Sequence, residues 1–132
     1  YVEYNQKINS IIEKTKKFII NELKDGKLVI GLGASTKGNV LLQICGIEKN
    51  LLPFISERNT DKVGLRTLGT DIEIISEEKA REINPSAMLV IPWNFKEEIL
   101  SREKDYIKSG GKMLFIMPFP YFVDQFGEHE IQ

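Results

Sequence analysis

The sequence predicts an α/β domain, a three-layer sandwich with a mainly parallel sheet of about four to five strands. Three observations predict it. Short aliphatic runs alternate with segments whose apolar residues recur every three or four positions. The run Ala87-Met88-Leu89-Val90-Ile91 is continuous, as expected of a strand covered on both faces. Leu28-Val29-Ile30 passes through Gly31 and Gly33 straight into helical spacing, which is how a strand–turn–helix unit reads.

The totals bound the class. A chain of 132 residues, 42% hydrophobic and 28% charged, has the length and composition of one globular domain that needs neither disulfide nor metal. A net charge of -1 gives no global basic field for nucleic acid. No apolar run approaches the roughly 18 residues of a membrane helix, and no secretory leader is visible. The single cysteine, Cys45, cannot form an internal disulfide and reads as a small buried hydrophobe. A reducing, cytoplasmic setting is therefore expected. The chain begins with Tyr1 rather than methionine, as a domain of a longer protein or a processed chain would.

Residues 5–24 read as an amphipathic helix carrying Ile8, Ile11, Ile12, Thr15, Phe18, Ile19 and Leu23 on one face. Its lysines, Lys14, Lys16 and Lys17, read as solvated, and Asp25-Gly26 ends it. A strand follows over residues 27–32, then a helix over roughly 36–45 that Gly46 terminates. The second strand is 52–56, ending at Glu57-Arg58-Asn59. Residues 59–71 form a polar loop with two glycines, in which Lys62, Arg66 and Thr70 are either ligand contacts or flexible surface. Ile72-Glu73-Ile74-Ile75 reads as a short extra strand, and Ser76 caps a helix that Asn84-Pro85 ends. The third main strand, 87–91, exits into Pro92-Trp93-Asn94-Phe95. A helix over 96–108 and a fourth strand over 112–117 complete a core spanning 27–118. Residues 121–132 read as a loose tail, and nothing tethers its His129 as a catalytic base. With the main strands in the order 2-1-3-4, the Gly31–Gly38 loop and the Pro92–Phe95 exit line one crevice.

That loop carries the chemistry. Helix N-terminal N–H groups lack intrahelical acceptors and carry partial positive charge. Glycines let a phosphate come close, and Ser35, Thr36 and Lys37 add hydroxyls and a cation. The spelling is not a Walker A loop, since Asn39-Val40 follow Gly38. The dinucleotide fingerprint fits Gly31 and Gly33 but meets Thr36 where its third glycine belongs. Glu57 lies about 24 residues beyond Gly33, near the offset of about 20 at which an acid takes ribose hydroxyls. It reads either that way or as a surface acid. Arg58 offers a bidentate fork to a phosphate. Trp93 packs on a sugar or base or belongs to the core, and the Asn94 amide can donate and accept.

Together these residues resemble a known family. Gly31-x-Gly33-Ala34-Ser35-Thr36-Lys37-Gly38-Asn39-x-Leu41-Leu42, Cys45-Gly46-Ile47, Glu57-Arg58-Asn59, Lys62-x-Gly64, Gly69-Thr70-x-Ile72, Pro92-Trp93-Asn94-Phe95-Lys96-x-Glu98-Ile99 and Gly110-Gly111-Lys112 occur in this order. The stretch from about 5 to 120 is similar to the C-terminal domain of the sugar C-methyltransferases. These enzymes use S-adenosylmethionine (SAM) to methylate a carbon of a nucleotide-linked deoxysugar. The resemblance implies a Rossmann-like fold, following an N-terminal zinc module and a middle SAM-binding domain, with the nucleotide-sugar between the last two. This chain would then be the last domain alone. SAM would be bound by another domain, on the same polypeptide, which also holds most of the catalytic groups. The family pattern has Asp where this chain has Glu57, and Pro where it has Thr60, Leu68 and Glu73, which implies a looser loop here.

The substrate-binding set is thus Gly31, Gly33, Ala34, Ser35, Thr36, Lys37, Gly38, Asn39, Glu57, Arg58, Trp93 and Asn94, with no catalytic residue and no metal ligand. The expected function is nucleotide-sugar binding within a methyltransferase, with no nucleic acid or membrane as partner. The alternatives are an NAD(P)-binding domain of the Rossmann type and a non-catalytic interaction domain.

Overall fold

The structure, a computed structural model, describes residues 2–132, without the side chains of Val2, Tyr4, Asn5 and Thr36. Its elements in chain order are α1 (Val2–Lys24), β1 (Val29–Leu32), α2 (Thr36–Cys45), β2 (Phe54–Glu57), β3 (Glu73–Ser76), α3 (Glu77–Ile83), β4 (Ala87–Val90), α4 (Lys96–Arg102), α5 (Lys104–Lys108), β5 (Lys112–Phe115), β6 (Tyr121–Asp124) and β7 (Gly127–Glu130). Single 3₁₀ turns lie at Thr60–Lys62 and Trp93–Phe95.

All seven strands share one sheet, in the order β3-β2-β1-β4-β5-β6-β7. The pairings from β3 through β5 are parallel, and β5–β6 and β6–β7 are antiparallel. The sheet is thus mixed and has seven strands rather than four to five. The four main strands stand in the expected order, β2-β1-β4-β5.

Alternation along the central strands builds two cores. Val29, Ala87, Leu89 and Leu114 face α1 and α2 and pack with Ile19, Leu42 and Cys45. Ile30, Leu32, Met88, Val90 and Met113 face the other way, onto Ala80 of α3, Ile99 of α4 and Tyr106 of α5. Both faces are covered, so the strand sequences read as continuous apolar runs. Among the described residues no helix is long and apolar enough to cross a membrane.

Two differences from the sequence reading have clear causes. The helix over 96–108 breaks at Glu103, whose buried carboxylate accepts two hydrogen bonds from Arg81, at 2.7 and 2.6 Å. The stretch 121–132, expected to be loose, forms the β6–β7 hairpin. The Asp124 carboxylate accepts the Phe126 N–H at 2.9 Å and pairs with His129 Nε2 at 2.8 Å. The His129 ring lies 4.8 Å from that of Phe122, which itself packs on Phe18 of α1. Gly127, at φ +123°, provides the turn.

Candidate functional site

The turn between β1 and α2 is built by geometry that only certain residues allow. Gly33 sits at φ +86°, where an added Cβ would also lie 2.8 Å from Pro92 Cδ. Its N–H donates to the Ser56 carbonyl at 2.8 Å. Ser35 is extended and caps α2, its Oγ accepting the Gly38 N–H at 3.0 Å. Gly38 is buried because the first turn of α2 rests on the end of β4. A Cβ there would overlap Ile91 Cγ2. Gly38 thus makes the close helix–strand contact that the third glycine of a dinucleotide fingerprint provides, two residues later than the fingerprint places it. Lys37 is exposed on the same turn, and the Thr36 side chain lies outside the described residues.

Three of the expected ligand residues make structural contacts. Gly31 lies buried inside β1, where an added Cβ would come within 2.9 Å of Ile55 Cγ1. The Ala34 N–H donates to Glu57 Oε2 at 3.4 Å, and its carbonyl accepts from Lys62 Nζ at 2.7 Å. Asn39 uses both ends of its amide on the 59–71 loop, donating to the Leu68 carbonyl at 2.9 Å and accepting from the Thr70 hydroxyl at 2.8 Å. Gln43 donates to the same Leu68 carbonyl at 2.6 Å. The loop is therefore pinned to α2 and the glycine turn, not loosened by its missing prolines. Thr70 is buried in this fastening, and Arg66 pairs with Asp71 and Glu73.

The remaining residues separate into two sites at the carboxyl end of the sheet. On the α3–α4 side, Gly33, Glu57 and Arg58 line a crevice of about 130 Å³ with Glu77, Pro92 and Arg102. Arg58 Nε and Arg102 Nη2 both approach Glu77 Oε1, at 3.5 and 3.6 Å. Besides Ala34, Glu57 also accepts the Arg58 N–H, at 3.2 Å. This side is a self-paired charge network.

On the α2 side, Lys37, Gly38, Trp93 and Asn94 line a groove of about 370 Å³, closed by Val40, Leu41, Ile44 and Met117. Trp93 does not belong to the core. The 3₁₀ turn after β4 holds it 40% exposed at the groove. Its indole thus shares a groove with a cation and a helix N-terminus. Cys45, nearby on α2, is buried; burial pushes its thiol up against the opposing pull of Lys16, so it stays protonated and unreactive. Among the described residues no group of three or more His, Cys, Asp or Glu can hold a metal ion. Sequence reasoning missed Arg102 and the apolar walls Val40 and Ile44. Only the two-sided crossing of the sheet shows where these lie, although the exposed-face apolar residues of α2 were a signal.

Comparison with known proteins places the chain in a family. The family model described as "C-methyltransferase C-terminal domain" matches residues 1–120. A relative named C-methyltransferase NovU, from Streptomyces niveus, is 33% identical over 120 residues, which are 91% of this chain and 28% of the relative. The chain thus spans little more than a quarter of the length of the curated relative it matches. With a family model matched over residues 1–120 and a relative 33% identical over 91% of this chain, the chain belongs to the family of C-methyltransferase C-terminal domains.

Proposed function

We propose that this chain is the nucleotide-sugar-binding domain of a SAM-dependent C-methyltransferase that acts on a nucleotide-linked deoxysugar in the cytoplasm. The observation that carries the reading is the 40% exposed Trp93, which lines one groove of about 370 Å³ together with Lys37 and Gly38. That volume lies within the range of about 300–1,000 Å³ usual for small-molecule sites. An aromatic face suits a base or sugar ring. Lys37 and the α2 N-terminus suit a pyrophosphate. Asn94 suits hydroxyls or a base edge. Gly33, Ser35 and Gly38 act by shaping the turn.

The residues present do not fit SAM. The groove has no carboxylate among its lining residues to meet a sulfonium or a ribose diol. The crevice that does have them, beside Glu57, is only about 130 Å³. SAM belongs to a methyltransferase region outside this chain, and no group in the groove is placed as a general base. The domain's contribution is then to bind and orient, which by itself accounts for a large share of a bimolecular barrier.

The test is calorimetric titration of the chain with a thymidine-diphosphate sugar, SAM and NAD in parallel, with fluorescence of the sole tryptophan as a second readout. Binding of the nucleotide-sugar alone, with a change in Trp93 emission, is expected. Binding of SAM or NAD instead makes this a cofactor domain and ends the proposal.

A further inference from the structure

The turn that carries Trp93 and Asn94 has little of its own to hold it. No residue of the 3₁₀ turn Trp93–Phe95 is buried, and no side chain caps that turn or the start of α4. The next residue, Lys96, supplies what the turn lacks. Its side chain is only 31% exposed. The ammonium stands 4.7 Å from the centre of the Tyr121 ring and 5.7 Å from that of Phe115, within reach of a cation–π contact. It also donates to Glu128 Oε1 of β7. One lysine thus joins the start of α4 to β5, β6 and β7. The two rings stack at 5.1 Å and belong to the residue pair that closes the β5–β6 connection. Met117 lies on that connection and lines the ligand groove, as Trp93 and Asn94 do.

We propose that Lys96 is a positioning residue for the ligand groove, a clamp through which the β6–β7 hairpin fixes the Trp93–Asn94 wall against the Met117 wall. This role rests on the reading that the groove takes the nucleotide-sugar. A lysine–carboxylate pair at the surface contributes little by itself, because water and salt screen it. Lys96 differs in having two aromatic rings beside its ammonium as well as the carboxylate, so its contacts reach three strands. Both ring quadrupoles attract the cation, and the attraction grows where the rings exclude water. Trp93 precedes Lys96 by three residues, the span of one 3₁₀ turn, so a shift at Lys96 passes to the indole. The hairpin then does more than extend the sheet. Its Tyr121 and Glu128 hold the residue that anchors one wall of the groove.

The experiment uses Lys96→Met, which keeps an apolar stem and removes the charge, and reads the emission of Trp93, the sole tryptophan. In the chain without ligand, Trp93 of the variant should be quenched more readily by acrylamide and its emission should shift to the red, as a freed indole meets more water. Affinity for a thymidine-diphosphate sugar should fall about fivefold, the population shift that loss of one cation–π contact allows. Lys96→Arg, which keeps a cation beside the rings and a donor for Glu128, should restore both. Glu128→Ala, at a side chain 61% exposed, tests the clamp without risk to folding and should give a smaller change of the same sign. A merely structural Lys96 lowers the melting temperature and leaves the quenching of Trp93 in the folded chain as it was. That result in both Lys96→Met and Glu128→Ala overturns the proposal. So does an altered emission that Lys96→Arg does not restore, since the cation is then not its cause. The quenching is read without ligand and decides the clamp even if the chain binds no nucleotide-sugar, so the two readings fail separately.

Discussion

The two sides of the sheet's carboxyl end are unlike. On the α3–α4 side, charges meet charges: Glu57, Arg58, Glu77 and Arg102 surround about 130 Å³, and Arg81 grips buried Glu103 behind them. On the α2 side, Lys37, Trp93 and Asn94 stand around about 370 Å³, and the Lys37 ammonium is exposed there. Motif spacing alone would place Glu57 and Trp93 in one site. The comparison teaches that an acid at the end of β2 can serve the protein's own loop, while the groove beside α2 keeps its cation and its indole exposed.

The sharpest test of that division is steric. Gly38→Val drives a branched side chain into Ile91 and should destabilise the chain by about 3 kcal/mol, the upper part of the overpacking range, abolishing ligand binding as α2 lifts. Thermal unfolding by circular dichroism measures it. Glu103→Ala leaves the Arg81 guanidinium without its buried partner. The cost should be about 2 kcal/mol, less than for a fully buried pair because Arg81 is half exposed, with nucleotide-sugar affinity unchanged. A loss of affinity there would mean that the charged side takes part in binding.

Trp93→Ala should weaken nucleotide-sugar binding about tenfold, the scale of one lost ring-stacking contact, with little change in melting temperature. Lys37→Ala should weaken it several-fold, about 1 kcal/mol, an effect that shrinks as salt rises. Calorimetry at two ionic strengths separates the charge from the packing. The smallest effect is expected of Glu57→Gln, whose carboxylate already accepts the Ala34 and Arg58 N–H groups. If Glu57→Gln costs as much as Lys37→Ala, one ligand spans both sides and the comparison collapses.

The elements were legible because their causes are local. Gly46, Ser76 and Asn84 end or cap α2 and α3 where the sequence places them, and the continuous runs of β1 and β4 read as strands covered on both faces. Gly33 at φ +86° answers to the turn read from its neighbours. The β6–β7 hairpin was hidden because Glu128, His129 and Glu130 look solvated. Their strand is held by its pairing with β6 and by His129 against Phe122 and Asp124, contacts that do not follow from strand propensity.

By itself the sequence determined the α/β class, the glycine turn and the family, since each rests on neighbouring residues or on a motif, whereas the order of the main strands was an expectation that the sheet pairing bears out. The tertiary structure alone decided that Gly31 packs the core, that Asn39 fastens a loop, that Trp93 faces outward, and that Glu57 and Trp93 stand at different cavities. The physical reason is that helices crossing opposite faces of one sheet send residues from adjacent strand ends to opposite sides, and no spacing along the chain records which side each takes.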